Sequence, residues 1–231
     1  MQTIELTNQE ILRSQIPENK LAVNEIFLSI QGEGRYSGVR MIFLRLNLCR
    51  VNCNFCDTKY TWHCITQNQF MTIDEIIEQI KKISIKCKFV CITGGEPLEQ
   101  VAMLINLCKA LKIANYLVHL ETSGTIIIPD ELGEYCHWIT CSPKKFNGAN
   151  FKSVITEVKI LVTEKTELTK LKSWLKNFTK KVWVVIQPIE PHDDRMDSID
   201  RWGKNKARAV QIVLETGWSL SAQIHKYFNV R

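Results

Sequence analysis

The sequence Lys88-Phe-Val-Cys-Ile-Thr-Gly-Gly-Glu-Pro97 indicates the fold class of this 231-residue chain. Its first six residues are apolar, β-branched or aromatic for the most part, which predicts a buried strand over 88–93. Gly94 and Gly95 would let a ligand approach the main chain closely, and Pro97 suits the first turn of a helix. A helical stripe then follows, formed by Val101, Leu104, Ile105, Cys108 and Leu111.

The same alternation of strand and helix repeats on both sides of this unit. Similar apolar runs predict strands at 23–30, 41–47, 116–121, 138–142, 156–162 and 182–187. Helices are predicted after the capping box of Thr72 and Glu75, over the stripe from Leu168 to Phe178, and from about 198 to 215 before Gly217. We therefore expect parallel strands with helices outside them, an α/β fold, and a ligand site at the carboxyl ends of the strands.

Composition excludes several classes of protein. The chain is 45% hydrophobic and carries a formal charge of +6 that is scattered along the sequence, too weak a signal to predict a nucleic-acid partner. Its apolar runs are far shorter than the roughly 20 residues of a membrane span, and the start lacks a signal-peptide pattern. We expect a cytoplasmic protein with no membrane partner, in which residues 21–231 form one domain and residues 1–20 an N-terminal extension.

Three of the nine cysteines, Cys49, Cys53 and Cys56, lie within eight residues. In a reducing compartment such clustering indicates a metal site rather than disulfides. Three thiolates suit a [4Fe-4S] cluster with one open iron. Structural zinc with His63 or Cys64 as a fourth ligand, or coincidence, remain open alternatives. The other six cysteines are predicted to be small buried hydrophobic residues: Cys64, Cys87, Cys91, Cys108, Cys136 and Cys141.

Two motifs together give the chain a resemblance to a known superfamily. The run Cys49-Arg-Val-Asn-Cys53-Asn-Phe-Cys56 is followed about forty residues later by Thr93-Gly-Gly-Glu-Pro97. This combination resembles the radical S-adenosylmethionine (SAM) superfamily, in which the open iron of the cluster chelates SAM. The resemblance implies a [4Fe-4S] cluster on the three cysteines and SAM as a cofactor.

Further segments make the resemblance narrower. In chain order they are Gln31-Gly-Glu-Gly34, Phe43-Leu-Arg45, Cys56-Asp-Thr58-Lys-Tyr-Thr-Trp62, Glu121-Thr-Ser-Gly-Thr125, Ser142-Pro-Lys144, Gln187-Pro-Ile189 and His225-Lys-Tyr227. Together they resemble the 7-carboxy-7-deazaguanine synthase family of the queuosine pathway, over roughly residues 22–231. Leu48 departs from that pattern, because glycine often precedes the first cluster cysteine in the family.

The narrower resemblance implies an incomplete (βα) barrel of the radical SAM type, typically a homodimer. The implied reaction contracts the ring of 6-carboxy-5,6,7,8-tetrahydropterin to give 7-carboxy-7-deazaguanine, with loss of ammonia. SAM would be a reusable radical source, Mg²⁺ would assist, and an electron donor such as flavodoxin or ferredoxin would reduce the cluster.

Roles for individual residues follow from the same resemblance. SAM would be bound by Phe55, Cys56, Asp57, Gly95, Ser142, Pro143, Lys144, Gln187, Pro188, Ile189 and Glu190. The pterin would be bound by Ile30, Gln31, Gly32, Arg45, Thr93 and the C-terminal Arg231. In this scheme Arg45 pairs with the substrate carboxylate, and Thr58 supplies an oxygen ligand to Mg²⁺.

Several alternatives compete with these assignments. A glycyl-radical activase also contains C-x3-C-x2-C, and a zinc-binding structural module would hold metal without SAM. Arg45 could form a structural ion pair, and Thr58 could cap the turn that follows it. His119 is predicted to be a core histidine whose hydrogen bonds are satisfied within the protein.

Overall fold

The structure is a computed structural model that describes residues 8–62, 69–144, 154–190 and 196–230. These residues form one nine-stranded open sheet in the order β3-β1-β2-β4-β5-β6-β7-β8-β9. The strands are β1 (Leu21–Ile30), β2 (Arg40–Leu46), β3 (Phe70–Met71), β4 (Phe89–Gly94), β5 (Leu117–Thr122), β6 (Trp138–Cys141), β7 (Glu157–Val162), β8 (Trp183–Pro188) and β9 (Ser219–Leu220). The helices are α1 (Asn8–Ser14), α2 (Ile73–Ile83), α3 (Val101–Ile113), α4 (Glu131–Tyr135), α5 (Leu168–Leu175), α6 (Met196–Thr216) and α7 (Ile224–Tyr227).

The predicted α/β class is confirmed, and all seven predicted strands lie within two residues of their expected bounds. From β2 through β4 to β9 every adjacent pair of strands is parallel. The short strands β3 and β9 and the short helices α4 and α7 were not predicted, because elements of two to five residues contain too few positions to show a period.

The expectation that all the strands are parallel is wrong for β1. This strand pairs antiparallel with β2, in a register that places Ile30 opposite Arg40, and antiparallel with β3. The reason is the connection between β1 and β2. It spans only residues 31–39 and closes on itself through Gln31 N–H to Val39 O at 2.8 Å, whereas a parallel crossover needs a dozen or more residues.

The predicted start of α2 and the predicted end of α6 are confirmed, whereas α5 ends at Leu175, before Phe178. Thr72 and Glu75 form a complete capping box at the start of α2, with each side chain accepting from the other residue's backbone N–H. At the end of α6, Gly217 has a φ of 71° and donates its N–H to Val213 O at 2.8 Å, which is a left-handed C-terminal cap. Within residues 1–20, the structure contains the short helix α1.

The hydrophobic core lies between the sheet and the helices α2, α3, α5 and α6. Side chains such as Ile76, Leu104, Leu171 and Ile212 are buried there against the outward-facing residues of the strands. Four of the scattered cysteines, Cys87, Cys91, Cys108 and Cys141, are buried as predicted, and Cys136 is half-buried. Cys64 lies outside the described residues. Because side chains alternate along a strand, the other positions of β2 and of β4 to β8 face the concave side of the sheet.

Candidate active site

A cavity of about 270 Å³ opens on the concave side of the sheet, near the carboxyl ends of its parallel strands. Of the residues that were predicted to bind SAM, substrate or metal, all but two line it. They are Ile30, Gln31, Gly32, Arg45, Cys49, Cys53, Phe55, Cys56, Asp57, Thr58, Thr93, Gly95, Ser142, Lys144, Gln187, Pro188, Ile189 and Glu190. Pro143 is not among the lining residues, and Arg231 lies outside the described residues. The structure therefore gathers the predicted residues in one site, while the role of each residue stays a prediction.

The three clustered cysteines lie on the loop that follows β2. Within this loop Cys56 donates its N–H to Cys53 O at 3.0 Å, and Asn52 has a left-handed φ of 50°. Burial, together with the nearby Glu96 and Cys53, raises the pKa of Cys49 to about 11. Burial and the neighbouring Cys56 also raise the pKa of Cys53, although the charge of Lys144 opposes this shift.

These thiols fit an iron–sulfur cluster. All three line the cavity, and the raised pKa values of Cys49 and Cys53 mean that the protein alone favours the protonated forms of these two thiols. Metal binding deprotonates thiols and compensates the charge of several thiolates held close together. A bound cluster would therefore supply the positive charge that this donor set lacks. Among the described residues no group of three or more His, Cys, Asp or Glu side chains, these thiols included, is already arranged to hold a metal ion.

The Gly94-Gly95 turn brings main chain against the start of the cysteine loop. Gly94 has a φ of 121°, and Gly95 and Glu96 donate their N–H groups to Leu46 O at 2.9 Å and Leu48 O at 2.7 Å. A methyl group at Gly95 would overlap the Leu48 carbonyl. Leu48 itself is buried and has a left-handed φ of 76°. At this position the loop therefore adopts a backbone conformation that favours glycine, although the residue is leucine.

Glu96 stabilises this turn rather than facing the cavity. It is fully buried and accepts hydrogen bonds from Leu98 N–H at 3.1 Å, Thr122 Oγ1 at 2.7 Å and Ser123 N–H at 2.7 Å. Burial raises the pKa of Glu96, while these donors act in the opposite direction. The segment Glu121-Thr-Ser-Gly-Thr125 is therefore tied to the glycine turn through two of its hydroxyl-bearing residues.

Thr58 lies beside the cluster loop and does not cap the turn that follows. Its side chain makes no capping hydrogen bond to the 3-10 turn Lys59–Thr61. Instead its Oγ1 is 3.6 Å from Cys56 Sγ, while its carbonyl oxygen accepts from Thr61 Oγ1 at 2.8 Å. The capping alternative for the Thr58 hydroxyl is therefore wrong, and the hydroxyl belongs to the cavity.

Arg45 forms the ion pair that was considered as an alternative role. Its Nε is 2.8 Å from Glu25 Oε1, and its guanidinium lies 5.6 Å from the centre of the Phe27 ring. This bond uses only Nε, and a guanidinium carries four further N–H donors in a planar fork. Because Arg45 also lines the cavity, Glu25 can hold the guanidinium in place without preventing it from binding an anion.

On the other wall Lys144 lies deep in the site. Its Nζ donates to Ser142 Oγ at 3.2 Å and is 5.5 Å from the centre of the Phe55 ring. Burial and the positive charge of Lys159 lower the pKa of Lys144. This wall therefore combines a cation, a hydroxyl and an aromatic face near Cys53, which suits a cofactor such as SAM that carries a carboxylate and an adenine ring.

The floor of the cavity holds a charged network that the sequence analysis did not assign. Glu33 pairs with Lys159 and accepts from Gln187 Nε2 at 3.0 Å and Gln223 Nε2 at 2.7 Å. Burial acts to raise the pKa of Glu33, but the charge of Lys159 and these donors outweigh it and lower the pKa to about 2. Glu33 is thus a carboxylate in the interior of the protein.

Glu121 forms the second part of this network. It accepts from Gln31 Nε2 at 3.0 Å and from Thr93 Oγ1 at 2.8 Å. Burial would raise its pKa, yet Lys159 and His119 lower it overall. The signal that could have found the network is a charged residue at an inward position of an apolar strand, as Lys159 is in Glu157-Val-Lys-Ile-Leu-Val162.

The prediction for His119 is wrong in one respect. The ring is buried and its Nε2 lies 2.8 Å from Thr140 Oγ1, but within the described part of the chain its Nδ1 has no hydrogen-bond partner. Burial lowers the pKa of His119 to about 4, so the ring is neutral at physiological pH.

Comparisons with known proteins show the family of the chain. Residues 44–222 match the Radical SAM superfamily. A 7-carboxy-7-deazaguanine synthase of Buchnera aphidicola is 36% identical, covering 90% of this chain and 98% of that protein, and one of Synechocystis is 34% identical over 90% and 93%.

A crystal structure of QueE from Escherichia coli has the same fold, with a TM-score of 0.69 and 24% identity over 95% of this chain and 99% of that one. No helix among the described residues is long and apolar enough to cross a membrane. The chain belongs to the radical SAM superfamily and, within it, to the 7-carboxy-7-deazaguanine synthase family.

Proposed function

We propose that this protein contracts the ring of 6-carboxy-5,6,7,8-tetrahydropterin, releasing ammonia and forming 7-carboxy-7-deazaguanine. The observation that carries the proposal is one cavity lined by three clustered thiols, an arginine and partly buried carboxylates. The names of the curated relatives support the product. The product and ammonia together have the composition of the carboxypterin, so the conversion needs no net oxidant. A radical source that is regenerated in each turnover therefore suffices.

Cys49, Cys53 and Cys56 would hold the [4Fe-4S] cluster, and the neighbouring wall would bind SAM. Bound there, the cluster and SAM would together supply the radical chemistry that removes a hydrogen atom from the substrate. Lys144 and Ser142, which are in contact, would bind the polar part of SAM, and the Phe55 ring would face the adenine. The Gly95 backbone would approach the SAM amino group. A side chain at this position would overlap Leu48.

The chain's own polar groups would orient the pterin. Arg45 would bind its carboxylate, while Gln31 and Thr93 would face its ring. Gln31 is fixed at both ends of its amide, since Nε2 donates to Glu121 at 3.0 Å and Oε1 accepts from Glu33 N–H at 3.1 Å. A methyl group at Gly32 would overlap the His225 ring, so only glycine allows this close packing at the rim.

Arg45→Lys should raise KM for the carboxypterin far more than KM for SAM. Lysine cannot form the bidentate contact, and its loss should cost about 1.5–3 kcal/mol, or roughly tenfold to a hundredfold. Steady-state kinetics with each ligand varied in turn measure both constants. Equal increases in the two KM values would assign Arg45 to the Glu25 ion pair alone.

Thr58→Val should retain the cluster and SAM binding but lose the stimulation of turnover by Mg²⁺. Magnesium prefers oxygen ligands and takes part of its shell from the substrate, and the Thr58 hydroxyl faces the site near Cys56. Rates measured against magnesium concentration for both proteins test this role. The same dependence in the valine variant would contradict it.

One experiment tests the function as a whole. The protein is reconstituted anaerobically with iron and sulfide, reduced, and supplied with SAM and the carboxypterin, and the products are identified by mass spectrometry. We expect an iron–sulfur absorption band and formation of 7-carboxy-7-deazaguanine. A colourless zinc protein would instead support the structural module. SAM cleavage with a glycyl-radical protein as the only accepted substrate would support the activase.

Further parts of the proposal concern partners. A flavodoxin or ferredoxin would deliver the electron, and two copies of the chain would form a homodimer in the cytoplasm. Arg231 at the C-terminus would complete the substrate site. Residues 1–20 would remain an extension outside the catalytic domain of residues 21–231.

A further inference from the structure

Lys159 lies at the centre of the cavity floor, where it is the cation between buried carboxylates. Its side chain is only 10% exposed and pairs with Glu33, whose side chain is 15% exposed. The ionisable groups that face it come from the β1–β2 connection, β4, β5, β7 and the segment after β6. They are Glu33, Cys91, His119, Glu121, Glu157 and Lys144.

The hydrogen bonds of this floor suit two ionised carboxylates. Both oxygens of Glu33 accept, one from Lys159 and the other from the amides of Gln187 and Gln223. Both oxygens of Glu121 also accept, from Gln31 Nε2 and Thr93 Oγ1. A proton on either carboxyl group would replace an acceptor by a donor that faces another donor.

Without the lysine these carboxylates could not both remain charged. Burial disfavours the charge of each of them, and Glu33 raises the pKa of Glu121. His119 is a poor replacement for the cation, because burial is the largest cause that lowers its pKa to about 4, and the charges of Glu121 and Glu157 act against each other. When two carboxylates share a site of low dielectric constant, the pKa of one of them is strongly raised.

We propose that Lys159 is a positioning residue that keeps Glu33 and Glu121 ionised and thereby fixes the Gln31 amide in the orientation that meets the pterin ring. The link to Gln31 runs through the Glu121 carboxylate, which accepts from Gln31 Nε2 at 3.0 Å, while the same nitrogen lies 3.8 Å from Cys91 Sγ and the backbone N–H of Glu33 donates to Gln31 Oε1, so the amide is held in one orientation. This inference rests on the proposed function, since it concerns how the pterin ring is recognised.

The test compares Lys159→Gln, which keeps a hydrogen-bond donor without charge, and Lys159→Met with the wild-type protein. KM for the carboxypterin is measured from about pH 6 to pH 9 in each. A variant that takes up a proton binds substrate less well as pH falls, so KM should rise up to about tenfold for each pH unit below the new pKa. Relative to wild type, KM for SAM and the iron content should stay within about twofold.

Two control variants separate charge from structure. Lys159→Arg keeps the cation and should follow the wild-type pH profile, whatever its absolute KM. Lys170→Gln removes an exposed positive charge, which is 2.7 Å from Glu167, and should match the wild type throughout. The proposal is overturned if either uncharged Lys159 variant follows the wild-type profile, or if Lys159→Arg acquires the new slope. It is also overturned if neither uncharged variant folds, since Lys159 would then be structural.

Infrared spectroscopy provides a readout that does not depend on turnover. In Lys159→Gln the band of a protonated carboxyl group should grow as pH falls, and adding Glu33→Gln or Glu121→Gln should remove it. If the wild-type protein converts no carboxypterin, the proposed function fails while this band still tests Lys159. Absence of the band in a folded variant overturns the role of Lys159 alone.

Discussion

Cys53→Ala should abolish cluster assembly and SAM cleavage while leaving a folded protein. Three thiols is the minimum set for a cluster with one open iron, and Cys53 lies between Cys49 and Cys56 in the loop. The side chain is only half-buried, so its removal leaves the core unchanged. Iron content, visible absorption and the rate of SAM cleavage after anaerobic reconstitution measure the effect.

Cys108→Ala is the matched control, because it also removes one thiol. Cys108 is buried in the core on α3, 3.8 Å from Cys136 Sγ and remote from the cavity lining. We expect wild-type iron content and activity, with a loss of unfolding free energy of about 1–2 kcal/mol from the small cavity. Full iron content and activity in Cys53→Ala would mean that Cys53 is not a ligand.

Gly95→Ala should reduce SAM cleavage more than tenfold and destabilise the fold. The added methyl group overlaps the carbonyl carbon and oxygen of Leu48, and backbone atoms cannot move aside by changing rotamer. Either the glycine turn or the cysteine loop must shift, and overpacking of this kind costs about 1–3 kcal/mol. SAM affinity by calorimetry and unfolding by denaturant measure the two effects separately.

Gly203→Ala serves as the control for this substitution. Gly203 lies within α6, where a methyl group would have no other atom within 4 Å. Alanine there should raise the free energy of unfolding by up to about 1 kcal/mol and leave SAM cleavage unchanged. If Gly95→Ala bound and cleaved SAM like the wild type, the close approach to Leu48 would have no functional importance.

The strands could be predicted because their signal is local. A run such as Phe89 to Thr93 is apolar and β-branched within a few residues, and the capping box of Thr72 and Glu75 is equally local. The antiparallel direction of β1 could not be predicted in the same way. It depends on the length of the connection after Ile30, which the strand pattern itself does not contain.

The site could be predicted in part, for a related reason. The three clustered cysteines can be recognised by their spacing, whereas Lys159 lies in an otherwise apolar strand whose one other charged residue is Glu157. Its partners Glu33 and Glu121 are 126 and 38 residues away in sequence, so only the folded sheet brings the three together. Long-range charge pairing leaves no periodic pattern in the chain.

The fixed backbone of Leu48 has a consequence for the maturation of the enzyme. Its N–H donates to Thr61 O at 2.9 Å, and its carbonyl accepts from Glu96 N–H. Leu48 is thus held by one segment that precedes α2 and by another that follows β4. The loop therefore acquires its shape only after β2 and β4 have paired. We expect the iron-donating machinery of the cell to meet a chain that has already folded, with cluster insertion as a late step of biogenesis.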